Sequence, residues 1–484
     1  MTSLWNRSNR WLTWFHRWAG VVLCLLFAMW FASGAVLHFV GFPALSNHDR
    51  HRGSADLSFE QVTISPVEAL ERVSNAKDIR LLERDGHAAY LVQTGSGGWS
   101  AIGAQSGAPL PDVTVSEARD IAESFGSAQA VSATGPIFYD QWIVHQHFDP
   151  FRPFYRIRLN DAEQTDLYVS ARTGEVLQRT RFAERAWNWV GAVVHWIYFT
   201  PLRQSWSTWN QVVWWVSLVA LISVAAGTWL GIVRMLANRA AGRAGLSPFR
   251  GWMRWHHLIG LFASVIVITW MLSGWLSMDH GRVFSMGRAT DAQEARLRGM
   301  TVSDVAQAAT VESLRRMAPA AEITLNAIDD RAFLTAYESR TGAGRVVFLN
   351  DVANVLPQLP DSVMLEGIKR VWPSATTTAP QAGADGLYRH AESAGEDAEG
   401  FVVGDGAAVR TYVDQLSGRF LVVMDLSRRS YAWIYYGLHT LEFPGLIEHP
   451  ALRTFLVLFL LALGFLSSAT GVVLSVKRLK REFA

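Results

Sequence analysis

Four of the chain's 14 histidines, His16, His195, His256 and His439, sit beside long apolar runs. An ionisable group in such a place points to function, because lipid offers it neither water nor counter-charge. His16 and His256 are 240 residues apart, and His195 and His439 are 244 apart. If each pair approaches a common axis from opposite sides, it can supply two axial imidazoles to one planar haem. Taken singly, each histidine is as much at home as an interfacial residue among tryptophans. The paired spacing favours the ligand reading.

Other residues compete for these roles. His257 adjoins His256 but points about 100° away on a helix, and Arg17 occupies the position that matches it. His38 and His280, near the far ends of their apolar runs, serve as reserve ligands. Arg17, Arg254 and Arg429 are candidates for haem propionates, the first two equally for cytoplasmic anchors. The pairs Ser33-Gly34 and Ser273-Gly274, with Gly227 and Gly471, suit either close approach to a macrocycle or helix–helix contact. A further segment interleaves His145, His147, Arg152, Arg156 and Arg158 with Phe148, Phe151, Phe154 and Tyr155. It suits an anionic aromatic ligand such as an iron chelate, a metal ion on His-x-His, or simply a solvated hairpin face.

The elements that must position these groups follow from composition. Of 484 residues, 50% are apolar and 18% charged, fewer charges than the roughly 25% of soluble domains. The single cysteine, Cys24, excludes a protein-bound iron–sulfur cluster, a c-type haem and an internal disulfide. No Walker A or strand-embedded Gly-x-Gly-x-x-Gly occurs, so neither a nucleotide-binding domain nor a nucleic-acid partner is expected. Runs at 18–40, 211–233, 257–278 and 454–476 lack charged residues, and each can span ~30 Å of hydrocarbon. The first is too long for the h-region of a signal peptide, so it predicts an uncleaved anchor.

Basic residues cluster at 1–17, at 234–255 and at 477–484, which places both termini and the short loop in the cytoplasm. The long segments 41–186 and 280–430 then face outward, followed by apolar histidine-bearing stretches at 187–200 and 431–443. His16, Gly20, Trp30, Ser33 and Gly34 fall on His256, Gly260, Trp270, Ser273 and Gly274 at offset 240. After a four-residue slip, Tyr168, Gly174, His195, Gly227 and Arg234 fall on Tyr412, Gly418, His439, Gly471 and Arg478. The spacing predicts two parallel repeats. His16 and His256 would then hold a haem near the cytoplasmic face, and His195 and His439 one near the outer face. The outer segments read as mixed α+β: a helix opening at Ser65-Pro66 and another at Ser116, strands at 87–93 and 99–104, a hairpin at 154–160 and 165–170, and a helix over 301–317. Residues 383–400 read as a mobile loop. Trp30 and Trp270 lie mid-span, where an interfacial belt does not account for them.

His-Arg-Trp-x-Gly at 16–20, His-x-x-x-Gly at 256–260, Leu438-His439-Thr440 and Thr470-Gly471 together resemble the PepSY-associated transmembrane proteins. The resemblance covers nearly the whole chain. It implies an α-helical membrane protein with four transmembrane helices and two periplasmic α+β, PepSY-like domains, in the bacterial inner membrane. It also implies two b-type haems on His16, His195, His256 and His439, and reduction of ferric siderophores with electrons from a cytoplasmic or membrane donor, a flavoprotein or a quinol. In the first half Val194-His195-Trp196 stands for Leu-His-Thr, and Ala226-Gly227 for Thr-Gly. Two other readings stay open: a haem-free anchor that binds a periplasmic partner, and a di-haem reductase of copper, a quinone or a redox protein.

Overall fold

The computed structural model describes residues 2–377, 398–403 and 409–483. Four long helices organise it: α1 (Thr2–Phe39), α2 (Trp206–Ala240), α3 (Gly251–Ser277) and α4 (Pro450–Glu482). Each is long and apolar enough to cross a membrane. The chain is a multi-pass membrane protein. The helices overrun the charge-free runs because a helix requires backbone hydrogen bonds, not apolarity, and terminal basic side chains snorkel to water. His16 and His256 therefore lie within α1 and α3 rather than just ahead of them.

Helix α1 packs against α2 and α4, and α3 packs against the same two, so α1 and α3 face each other diagonally. Leu23, Phe27, Phe31, Ala220, Trp270 and Leu461 fill the middle of the bundle. Val22, Leu25, Phe262 and Val265 are exposed and apolar, and suit lipid. They too are related by the offset of 240.

The strands lie in two stretches, one between α1 and α2 and one between α3 and α4. The first holds β1 (Ala76–Arg84), β2 (His87–Thr94), β3 (Trp99–Gly103), β4 (Ala130–Ile137), β5 (Phe154–Leu159), β6 (Asp166–Ser170) and β7 (Val176–Thr180). The second holds β8 (Glu322–Ile328), β9 (Arg331–Tyr337), β10 (Gly344–Phe348), β11 (Val355–Leu356), β12 (Ala375–Thr377), β13 (Ala398–Val403), β14 (Val409–Asp414) and β15 (Phe420–Met424). The two stretches share a seven-stranded sheet of order β11-β10-β9-β8-β1-β2-β3. The join is antiparallel, and Arg80 of β1 faces Thr324 of β8, 244 residues later. Pairing β1 with β8 hides two strand edges that separate domains would expose. Each stretch adds a four-stranded sheet of its own, β4-β5-β6-β7 and β12-β13-β14-β15.

Local expectations fare unevenly. The strands at 87–93 and 99–104 and the hairpin at 154–170 form in register. The helix over 301–317 is two, Val302–Ala308 and Val311–Arg315, because the Thr310 side chain accepts from the Ser313 amide and caps a new start. The helix read from Ser116 starts one residue earlier, at Val115, capped by Thr114. Of the loop at 383–400, residues 383–397 lie outside the described residues, and 398–400 open strand β13.

Candidate functional site

His16 and His256 sit in the N-terminal halves of the diagonal helices α1 and α3. The His16 and His256 rings are 6.3 Å apart, centre to centre, and inclined at 31°. His16 Nδ1 lies 2.9 Å from the Ser223 carbonyl oxygen, to which it can only donate. His256 Nδ1 lies 3.0 Å from Thr470 Oγ1. That hydroxyl gives its proton to the Ser467 carbonyl at 2.6 Å, so it accepts from the ring. Both rings thus keep the Nε2 lone pair for another partner. Each lies over a glycine: a Cβ on Gly227 would come within 2.8 Å of His16 Nδ1, and one on Gly471 within 3.6 Å of His256 Cε1.

The second pair, His195 and His439, repeats the plan on other segments. His195 ends a short helical turn, Ala192–His195, and His439 ends a π-helical turn, Trp433–His439. Their ring centres are 6.4 Å apart and the planes are inclined at 69°. Nδ1 of His195 lies 3.0 Å from Ser33 Oγ, and Nδ1 of His439 lies 3.2 Å from Ser273 Oγ. Both hydroxyls donate to carbonyls of their own helices, Ser33 to Met29 and Ser273 to Trp270, which leaves them as acceptors. A Cβ on Gly34 would lie 3.5 Å from His195 Cε1, and one on Gly274 would lie 3.1 Å from His439 Cε1. The glycines therefore make room for imidazoles, while the neighbouring hydroxyls fix the rings' orientation.

The spacing carries chemical information. A metal-bound imidazole nitrogen sits about 2.0–2.1 Å from the metal, and the ring centre about 1.1 Å beyond, so two opposed rings on one metal are about 6.3 Å apart. Both pairs match that separation. Among the described residues no group of three or more His, Cys, Asp or Glu side chains could hold a metal ion. An ion between these rings would need its remaining ligands from elsewhere, and the four ring nitrogens of a porphyrin meet that need. The Nδ1 hydrogen bonds are the outer contacts that metal-bound histidines usually make. The residues fit a haem at both places.

The model of one protein family, the PepSY-associated TM region, matches residues 13–478. The chain belongs to this family. No curated protein matches it.

Elsewhere in this PepSY-associated protein the reserve ligands are engaged. His38 Nε2 meets Thr454 Oγ1 at 2.9 Å, His257 Nε2 meets the Gly231 carbonyl at 3.0 Å, and His280 Nδ1 meets Asn210 Oδ1 at 2.5 Å. Arg17 and Arg254 are exposed on α1 and α3, and Arg429 lies on the helix Leu426–Ala432 that leads into the π-helical turn. Trp30 donates its indole N–H to the His195 carbonyl at 2.9 Å. The indole N–H of Trp270, at the matching position, has no partner among the described residues.

The expected anion-binding segment divides. Arg152 is buried and bonded to Asp149 and to the carbonyls of Ile143 and His145. Arg156 pairs with Asp140 at 2.9 Å, and Arg158 grips Asp166 through two bonds of 2.7 and 3.0 Å. These arginines are committed to partners within residues 140–166. His145 and His147 stay together, ring centres 5.6 Å apart and planes at 17°. Burial, with the nearby His147 and Arg203, pulls His145 down to about 4, so its ring is neutral near pH 7.

Sequence reasoning named Ser33, Ser273 and Thr470 without their role, and it missed Ser223 and Tyr435. Tyr435 lies stacked 5.8 Å from His439. The signal for Ser223 was Ala226 in the place of Thr470: with no hydroxyl to interpose, His16 reaches the backbone carbonyl itself.

Proposed function

We propose that this protein is a di-haem electron conduit of the bacterial inner membrane, with cytoplasmic termini and a periplasmic sheet region, which reduces ferric siderophores. His16 and His256 hold one b-type haem near the cytoplasmic face; His195 and His439 hold the other near the periplasm. The observation that carries this reading is the spacing of 6.3 and 6.4 Å between the ring centres of the two repeat-related pairs. A haem so held supplies a one-electron Fe(III)/Fe(II) couple that needs no proton. Ser223, Thr470, Ser33 and Ser273 hold the four imidazoles in one tautomer. Along α1 the two levels, His16 and Ser33, are about 25 Å apart. Phe27, Trp30, Phe31 and Trp270 occupy that interval; Phe31 lies 6.1 Å from Trp270. A flavoprotein or a quinol would donate at the cytoplasmic end. At the outer end one electron converts the chelated iron to Fe(II), which hard siderophore oxygens hold less tightly than Fe(III).

The purified protein is expected to show reducible Soret and α bands, with about two haems per chain. Absence of those bands would leave the haem-free anchor. His439→Ala is expected to lose about one haem of the two, and unchanged haem content would refute the pairing. Anaerobic mixing of the reduced protein with ferric siderophores should reoxidise it; reoxidation by quinones or copper alone would reassign the acceptor.

The Thr470 hydroxyl offers a finer test. Thr470→Val keeps the side-chain shape but removes the acceptor for His256 Nδ1, making the imidazole a poorer electron donor. Haem should be retained, and the inner midpoint potential should rise by up to about 40 mV, the equivalent of one neutral hydrogen bond. Redox titration reads this directly; an unchanged or lowered potential would contradict it.

A further inference from the structure

His145 and His147 belong to neither pair, yet aromatic rings connect them to the outer one. Trp196 follows His195 in the chain; its ring is 6.1 Å from Phe42, and Phe42 is 5.2 Å from His145. His147 then lies 5.6 Å further, and it is exposed. The His145 carbonyl, at the start of the 3-10 turn Gln146–Phe151, accepts from buried Arg152 at 3.2 Å, which fixes the backbone beneath both rings. Two imidazoles on one metal have ring centres about 4.5 Å apart at a right angle and about 6.3 Å apart when opposed. The observed separation falls inside that range. Asp149 is held by Arg152 at 2.8 Å, so the two imidazoles are the ligands on offer and water completes the shell.

We propose that His145 and His147 form a binding site for a divalent first-row metal ion, and that in the working protein the ion is the Fe(II) released by reduction. The identity of the ion rests on the function proposed above; the site itself does not. Imidazole is a softer donor than hydroxamate or catecholate oxygen and suits Fe(II). The step is a ligand exchange. Two nitrogen lone pairs replace two chelator oxygens on the reduced iron, those oxygens take protons from water, and no electron moves. The electron is supplied beforehand by the reduction proposed above.

The test uses full-length protein in detergent, kept anaerobic and dialysed against ferrous sulfate. Haem is counted by absorbance and total iron by elemental analysis. The wild type should hold one non-haem iron per chain. His145→Ala and His147→Gln should each weaken that binding by at least about tenfold, with haem content and spectrum unchanged. His147 is exposed, so its variant carries the test even if His145→Ala disturbs packing. Failure of the wild type to hold non-haem iron, or equal retention by both variants, would overturn the site. A haem-free chain that still held ferrous iron through these residues would overturn the electron path and leave the site standing.

Discussion

Gly227→Ala is expected to empty the inner histidine site, whereas Gly471→Ala, at the matching position of the other half, should leave it filled. The difference comes from how closely each ring approaches its helix. A methyl on Gly227 would stand 2.8 Å from His16 Nδ1 and closer still to Cε1, inside any allowed contact. His16 lies so close because its Nδ1 reaches the backbone carbonyl of Ser223. On the other side Thr470 is interposed, His256 stands further off, and the methyl would meet Cε1 at an ordinary 3.6 Å. Relief at Gly227 requires the His16 ring to move off the Ser223 carbonyl, which changes its placement relative to His256. Both substitutions replace a glycine inside a helix, a change worth up to about 1 kcal/mol in favour of the helix. A fall in haem with Gly227→Ala would therefore not be a folding defect. Haem per chain should drop from about two to about one in Gly227→Ala and stay at about two in Gly471→Ala. Equal contents in the two variants would remove the steric argument.

That asymmetry marks where sequence reasoning stops. Local signals were legible: the apolar runs, the helix start at Ser65-Pro66, the hairpin from Phe154 to Ser170, and the four histidines with their offsets. Partners distant in the chain were not. Strands 76–84 and 322–328 are absent from the sequence reading, and nothing in either stretch says that their edges pair. The arginines illustrate the same limit. Arg156 and Arg158 are two apart on β5 and share a face, with Tyr155 and Ile157 on the other. Read along the chain, the cations and aromatics form one mixed surface. In the fold the cations meet Asp140 and Asp166, while Tyr155 and Ile157 enter the core. Thr470 was visible within a motif, but its purpose depended on a ring 214 positions away.

The shared sheet carries the second large effect, Glu322→Ala. Glu322 and Glu175 are nearly fully buried and are bridged by two arginines. Arg50 Nη1 lies 3.0 Å from Glu175 and 2.7 Å from Glu322; Arg80 Nη1 lies 2.9 and 3.0 Å from the same two. The positions 244 residues from Glu322 and Glu175 are Asp78 and Arg419, which pair directly through bonds of 2.8 and 2.9 Å. Where both matching positions are acids, the arginines supply the missing charge, and they tie β1 to β8. Removing one carboxylate strands buried cations, which costs about 3–5 kcal/mol. The sheet region should melt on the order of 10 °C lower, and unchanged melting would show that the cluster is not what joins the halves. Burial alone would raise the Glu322 carboxyl, but the Arg50 and Arg80 charges outweigh it and hold it well below the usual range. A depressed carboxylate contributes its full stability above its unfolded value and loses it as pH falls through the folded one. The wild type should therefore show no Glu322-dependent change between neutral pH and about pH 5. It should lose stability only in stronger acid, and Glu322→Gln should flatten that acid limb.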